Sequence, residues 1–155
     1  MKEIKGLLHN VCLSEAIKAI CKKYGIEALY VFGSRSDEIF DRIYKIQDKE
    51  KDKTEEPLSD VDIGILPIEG IILDVQKKVR LIAELEDVFL VMRVDLVVLT
   101  EASIFLALEI IRGKLVYDAN PDRTAEYELY VMRHAGDIYP FEQYRLKQII
   151  TKGAL

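Results

Sequence analysis

The sequence has little of what marks secreted, membrane-spanning or zinc-binding proteins. It contains two histidines, His9 and His134, and nothing near either resembles a zinc ligand set. Cys12 and Cys21 lie nine positions apart on one predicted helix, roughly 10 Å or more from each other, which is too far for a disulfide. Unpaired thiols suit a reducing compartment, and we expect neither a signal peptide nor a membrane span. A cytoplasmic protein with no membrane association is therefore predicted.

The sequence also lacks Ser/Gly-rich or Pro-rich linkers and any excess of basic residues. It has 22 Lys and Arg against 27 Asp and Glu, for a net charge of −5. Domains that bind nucleic acid usually carry a basic face, so we expect no direct nucleic-acid binding. Half of the residues are hydrophobic and 32% are charged, as in globular rather than disordered chains. A single domain over residues 1–155 is predicted.

Hydrophobic periodicity predicts helices that alternate with short strands. The predicted segments, in order, are a helix over Leu7–Tyr24 stopped by Gly25, strands over Ala28–Phe32 and Asp60–Leu66, a helix with apolar spacing at Ile72, Val75, Val79, Ile82 and Phe89, a strand over Val94–Leu99, a helix capped by Thr100 and ending at Arg112, a strand over Leu115–Tyr117, and a helical segment over 121–152 that Pro140 breaks or kinks. This alternation indicates an α/β or α+β fold with helices packed on a central sheet. A charged insertion is predicted at about 41–56, and its charge run from Gln47 to Glu56 is predicted to face solvent.

Three aspartates lie beside or within otherwise apolar strand sequences. Asp60 and Asp62 follow Ser59 and are two positions apart, so on a strand their side chains point to the same face. Close carboxylates repel each other unless a cation lies between them, and oxygen-only ligands favour Mg²⁺ or Mn²⁺. The pair alone fits a strand start or turn cap equally well. Asp95, a charge inside the apolar run Val94–Leu99, favours a site for two metal ions if its strand is adjacent.

A Gly-Ser dipeptide after the first strand is typical of a phosphate site. Gly33 lets a phosphate approach the backbone, while the Ser34 hydroxyl and the following amides can donate hydrogen bonds. A helix beginning near Ser36 would add its positive dipole. Arg35 either balances the charge of a triphosphate or pairs with the carboxylates of the three aspartates.

Taken together, these motifs resemble the nucleotidyltransferase superfamily that includes DNA polymerase beta, and most closely its minimal, MNT-type members. The family pattern is an apolar strand with Gly-Ser and Arg, then Ser-Asp-x-Asp, then a third aspartate on a later strand. The pattern is found here at Gly33-Ser34-Arg35, Ser59-Asp60-Val61-Asp62 and Asp95, within a match over about Leu7 to Tyr117. The interval from Ser34 to Asp60 is longer than in most small members.

The resemblance implies a fold, a chemistry and a partner. The fold is the nucleotidyltransferase fold with a mixed central sheet, and the cofactor is Mg²⁺, two ions, with Mn²⁺ as an alternative. Asp60 and Asp62 would bind both ions, and Asp95 would bind one and help to deprotonate an acceptor hydroxyl. Gly33, Ser34, Arg35 and Ser59 would form the nucleotide site. Small members are antitoxins paired with a HEPN toxin, an all-helical RNase, and transfer AMP from ATP to a toxin tyrosine.

Two other functions remain open at this stage. The chain could neutralise its partner by contact alone, or it could be a stand-alone enzyme acting on a small hydroxylated molecule. The intact aspartates favour catalysis. The apolar residues of segment 121–152 exceed what covering one sheet needs and favour a protein partner, with a homo-oligomer also compatible.

Overall fold

The protein is described here by a computed structural model that covers residues 2–44 and 60–153, with side chains from residue 13 onward. In chain order the elements are α1 (Lys2–Tyr24), β1 (Ile26–Phe32), α2 (Ser36–Tyr44), β2 (Val61–Pro67), α3 (Val75–Phe89), β3 (Val94–Val98), a 3₁₀ turn (Leu99–Glu101), α4 (Ile104–Ile111), β4 (Lys114–Asp118) and α5 (Pro121–Lys152). No helix in these ranges is long and apolar enough to cross a bilayer.

The four strands form one mixed sheet in the order β3-β2-β1-β4. β1 is antiparallel to both of its neighbours, whereas β2 and β3 are parallel and are joined by α3. The antiparallel pairing brings the carboxyl end of β1 to the amino ends of β2 and β3. The predicted mixed sheet with helices packed on it is confirmed.

Helices cover both faces of the sheet, and each face has its own apolar core. The first core joins α1, α2 and α3 to one face and is centred on Ile17, Cys21, Leu29, Ile39, Ile63, Leu81, Leu85 and Phe89. The second joins α4 and α5 to the other face through Tyr30, Phe32, Leu66, Ala107, Ile110 and Val131. Every residue of β1 is buried, as expected for a central strand covered on both sides.

The apolar spacing that predicts α3 does not coincide with its buried face. Of the residues that set the spacing, only Phe89 is fully buried, whereas Val75 and Val79 are 76% and 59% exposed. The helix instead packs through Leu81, Leu85 and Phe89, which repeat every four residues. Val75 and Val79 are rotated to the flank of this stripe, where the sheet no longer covers them.

The prediction that Thr100 caps α4 is wrong. Thr100 lies in the 3₁₀ turn, and the N-cap is Ser103, whose hydroxyl accepts a hydrogen bond from the Leu106 amide at 3.3 Å. Both residues have hydroxyl side chains suited to an N-cap. The 3₁₀ turn occupies the position of Thr100, so the helix begins after Ser103 instead.

Pro140 does not break the helix, since α5 is continuous from Pro121 to Lys152. A kink at Pro140, the other predicted outcome, stays a prediction. Proline at this position removes the amide donor to the carbonyl of Gly136. Pro140 and Gly136 both lie on the exposed side of the helix, where water can satisfy that carbonyl. The predicted opening of the helix is confirmed, since Pro121 occupies its first turn and the Asn120 side chain accepts from the Arg123 amide.

Part of the predicted charged insertion lies outside the described residues. Its first residues, from Asp41 to Tyr44, are the last turn of α2, and the remainder of 41–56 falls in the undescribed range 45–59. Ser59 falls in the same range, so its predicted nucleotide-binding role stays a prediction.

Candidate active site

Two strands place the predicted metal-binding aspartates side by side. Asp62 is the second residue of β2 and Asp95 the second of β3, and the two are direct partners in the parallel register. Asp60 immediately precedes β2, two positions before Asp62, so it extends toward the same side. On its other side Asp62 is paired with Phe32 at the end of β1. The three carboxylates therefore lie at one edge of the sheet, next to the Gly33 turn.

Gly33 and Asp62 are in direct contact at this edge. Gly33 has a φ of +77°, a conformation that residues with a side chain rarely adopt. A Cβ added to Gly33 would lie 2.3 Å from Oδ2 of Asp62. The absence of a side chain at position 33 therefore both permits the turn and leaves room for the carboxylate.

The carboxylate of Asp62 is in an unfavourable electrostatic environment. Partial burial raises its pKa, and repulsion from Asp95, Asp60 and Glu109 raises it further. Glu109 comes from α4, which packs closely on β2: a Cβ at Gly64 would lie 2.3 Å from Cγ2 of Ile110. A cation at this edge would relieve the repulsion.

An arginine side chain lies between two of the three aspartates. Nε of Arg93 is 3.4 Å from Oδ2 of Asp60 and 3.4 Å from Oδ1 of Asp95. The backbone of the same residue accepts a hydrogen bond from the Val61 amide at 3.1 Å, which ties the start of β3 to the start of β2. Because the Arg93 side chain is 67% exposed, it can leave this position at little cost.

The oxygen donors at this edge suit a hard divalent cation, although they are not gathered into a finished coordination shell. Within the described ranges, no three His, Cys, Asp or Glu side chains form a group that could hold a metal as they stand. Arg93 occupies the space between Asp60 and Asp95 that a cation would need. The residues therefore fit Mg²⁺ or Mn²⁺ chemically, on condition that the guanidinium moves aside.

The Gly-Ser turn is followed by a helix, as predicted. Gly33 and Ser34 are both exposed, and α2 begins at Ser36, whose amide donates to the Gly33 carbonyl at 3.3 Å. The first turn of α2 carries Asp37 and Glu38, which offset part of the positive helix dipole. An anion at this turn would therefore be bound mainly by the Ser34 hydroxyl and the backbone amides of the turn.

Arg35 contributes to the packing of this region. Its side chain is only 9% exposed and forms a two-pronged contact with Glu38, Nε to Oε2 at 3.0 Å and a second nitrogen to Oε1 at 2.9 Å. Glu38 also accepts from Arg42, which in turn donates to the Phe89 carbonyl at 2.7 Å. This network fastens α2 to the end of α3. The two predicted roles of Arg35, toward a triphosphate or toward the three aspartates, stay predictions.

Sequence reasoning missed two residues of this edge. Arg93 was visible only as a neighbour of Asp95, and nothing in the sequence indicates that its side chain also reaches Asp60. Glu109 lies within an apolar helix, and its approach to Asp62 depends on how α4 packs across the sheet. No local signal could have found it.

Comparison with solved structures shows the same fold in chains of toxin–antitoxin complexes. A chain in the crystal structure of a toxin–antitoxin with AMP-PNP superposes with a TM-score of 0.64 at 20% identity, covering 88% of this chain and 98% of that one. A chain in the complex of a tri-AMPylated Shewanella oneidensis HEPN toxin with MNT antitoxin gives 0.63 at 17%, covering 91% and 98%. A chain in a MntA–HepT toxin–antitoxin structure gives 0.62 at 17%, covering 90% and 97%.

No curated protein matches the chain. Its family is assigned by a match between its sequence and a family model. The family model described as "Polymerase beta, Nucleotidyltransferase" matches residues 15–122, which include Gly33, Asp62 and Asp95. The chain therefore belongs to the polymerase beta nucleotidyltransferase family.

Proposed function

We propose that this nucleotidyltransferase transfers AMP from ATP to a tyrosine hydroxyl of a HEPN-type toxin and acts as its antitoxin. The observation that carries the proposal is the direct register of Asp62 and Asp95 beside the Gly33 turn, which puts carboxylates next to an exposed Gly-Ser turn at one edge of the sheet. The likeness to chains of toxin–antitoxin complexes, one of them with AMP-PNP and one with an AMPylated toxin, supports the choice of nucleotide and partner.

The proposed reaction is a displacement at the α-phosphorus of ATP. The acceptor oxygen forms a bond to that phosphorus, the bond to the β-phosphate bridging oxygen breaks, and pyrophosphate leaves. Asp95 accepts the proton of the acceptor hydroxyl, while Gly33 and Ser34 hold the β- and γ-phosphates through backbone and hydroxyl donors. Because positioning supplies most of the catalysis in such transfers, few other groups are needed.

Asp60, Asp62 and Asp95 are the proposed ligands of Mg²⁺. When bound, the metal would neutralise the charge of the triphosphate and of the leaving pyrophosphate. The raised pKa of Asp62 and the position of Arg93 support a cation at this edge, since the carboxylates there repel one another. Arg93 would then be released from Asp60 and Asp95.

The C-terminal half of α5 is the proposed contact surface for the toxin. Ala135 is the last buried residue of α5, and the helix continues for another 17 residues, or about 25 Å, to Lys152. The α5 apolar surface is formed by exposed Tyr139, Phe141, Tyr144, Leu146, Ile149 and Ile150. The two most exposed, Phe141 and Ile150, are 75% and 80% accessible. Such a surface on a free protein favours a protein partner.

The α5 helix packs on the sheet face to which Asp62 points. Phe32, the register partner of Asp62, belongs to the apolar core beneath α4 and α5. Asp62 therefore points to the sheet face that carries α5. A toxin held by α5 would approach the aspartates from their own side of the sheet.

The test is co-expression with the product of the neighbouring gene and mass spectrometry of that product. We expect a mass increase of one AMP on a tyrosine with the wild type, and none with Asp95→Asn. The substitutions Phe141→Asp and Ile150→Asp should abolish the complex, whereas Val79→Asp, at an exposed apolar position of α3, should leave it intact.

The same experiment distinguishes the competing functions. A complex that forms and neutralises the toxin without nucleotide transfer, in wild type and Asp95→Asn alike, would establish an antitoxin that acts by contact. Transfer to small hydroxylated molecules without any complex would establish a stand-alone enzyme and overturn the proposal.

A further inference from the structure

A basic cleft lies at the end of the sheet opposite the aspartates. It is an open cavity of about 460 Å³ between the last turn of α1 and the first half of α3. The residues lining it are Lys22, Lys23, Tyr24, Gly25, Ile71, Lys77 and Arg80. Gly25 precedes β1 and Gly33 follows it, so the seven residues of β1 separate the cleft from the catalytic edge by about 25 Å.

The cations of the basic cleft are poorly compensated. Lys23 pairs with Glu84, Nζ to Oε1 at 2.5 Å. Among the described side chains, no acidic group lies within ion-pair distance of Lys22, Lys77 or Arg80. The protein as a whole carries a net charge of −5, so a cavity lined by three cations without an ion-pair partner among the described side chains is unusual for it.

Helix stability does not account for all of these cations. Lys22 and Lys23 lie in the last turn of α1, where positive charge interacts favourably with the helix dipole. Lys77 lies in the first turn of α3, where positive charge is unfavourable and no acidic residue of that turn offsets it. Asp74 caps this helix by accepting from the Lys77 amide at 2.8 Å, and its single charge offsets part of the positive charge at the cap.

We propose that the basic cleft binds a compact polyphosphate anion, the class that includes pyrophosphate and nucleoside polyphosphates. Cations that converge on one cavity suit a small multivalent anion, whereas proteins that track a nucleic-acid backbone spread theirs along a face or groove. The volume falls within the range of small-molecule pockets. This site is separate from the proposed ATP site and does not depend on it.

The experiment uses inorganic tripolyphosphate without divalent metal, followed by NMR of the full chain. We expect saturable shifts of the Gly25 and Lys77 amides and no comparable shifts at Gly33 and Ser34. Lys22→Ala combined with Arg80→Ala should weaken binding about tenfold or more, since two of the three uncompensated charges are lost. A titration with ATP then shows whether a nucleoside polyphosphate binds at the same amides.

A charge-matched control separates a site from general attraction. Arg133→Ala combined with Lys147→Ala removes the same charges from exposed positions of α5 and should leave tripolyphosphate affinity within about twofold of wild type. Equal weakening by both double variants would overturn the proposal, as would shifts confined to Gly33 and Ser34. Binding of RNA oligonucleotides at the cleft without binding of tripolyphosphate would replace it with a nucleic-acid site.

Discussion

Oδ2 of Asp62 occupies the space that a side chain at Gly33 would fill, with only 2.3 Å between that oxygen and the ideal Cβ position. The Gly33 turn and the Asp62 carboxylate of β2 are thus fitted to each other. A side chain added at position 33 must displace the carboxylate of Asp62.

Gly33→Ala is therefore expected to lower nucleotide transfer by about 10- to 100-fold, because displacing the Asp62 carboxylate misaligns the reacting groups. Gly70→Ala is the matched control, since Gly70 has a similar φ of +84° but no atom within 4 Å of an added Cβ. Both variants should lose about 1 kcal/mol of stability from the positive φ. Equal activity in the two variants, measured by AMP transfer, would contradict the contact.

Asp62→Asn should separate activity from stability. The burial of Asp62 and the repulsion from Asp95, Asp60 and Glu109 oppose its charged form, so the neutral amide relieves a strained arrangement. We expect a melting temperature without added metal equal to or above that of the wild type, and a loss of transfer of about 100-fold or more. Asp122→Asn, in the first turn of α5, should leave activity unchanged and lower stability slightly. A clearly destabilised Asp62→Asn protein would show that the repulsion is not significant.

Arg93→Ala tests whether the arginine substitutes for a cation. Without metal, the variant should melt at a lower temperature than the wild type, because Asp60 and Asp95 lose their shared partner. Mg²⁺ should then raise its melting temperature more than that of the wild type, since no guanidinium has to be displaced. Arg145→Ala is the control, because that side chain is also 67% exposed and pairs with Glu142 far along α5. The idea fails if Mg²⁺ shifts wild type and Arg93→Ala equally.

The network around Glu38 should make stability depend on pH in the acid range. The hydrogen bond from Arg35 lowers the pKa of Glu38, and the charges of Arg35 and Arg42 act in the same direction. The folded pKa lies below the unfolded one, so this stabilisation is present above the unfolded pKa and disappears as the pH falls through the folded pKa. Glu38→Gln should therefore melt below the wild type at pH 7, and the difference should close at a pH below about 4.

A comparison variant sharpens this measurement. Glu15→Gln removes an exposed carboxylate whose contact with Lys18 is 3.5 Å long, and it should change the melting temperature little at any pH. A difference between Glu38→Gln and wild type that persists unchanged below pH 3 would show that the charge of Glu38 is not the source.

The strand positions of the aspartates could be predicted from sequence because they depend on local patterns. A charge inside an apolar run and a two-residue spacing are both visible without the fold, and Asp62 and Asp95 do lie on neighbouring strands. The roles of Arg93 and Glu109 could not be predicted, since each meets the aspartates only through the packing of separate elements. The buried face of α3 was hidden for a related reason, because Val75 and Val79 are as apolar as Leu81 and Leu85 yet lie beyond the sheet.

The ladder between β1 and β2 has a consequence for how this family can vary. Six paired positions, from Ile26 with Pro67 to Phe32 with Asp62, fix the separation of Gly33 and Asp62. The chain between β1 and β2 is attached at the ends of the two strands. Its length therefore does not affect the distance between Gly33 and Asp62. Evolution can therefore lengthen or replace this connection without moving Gly33 relative to Asp62.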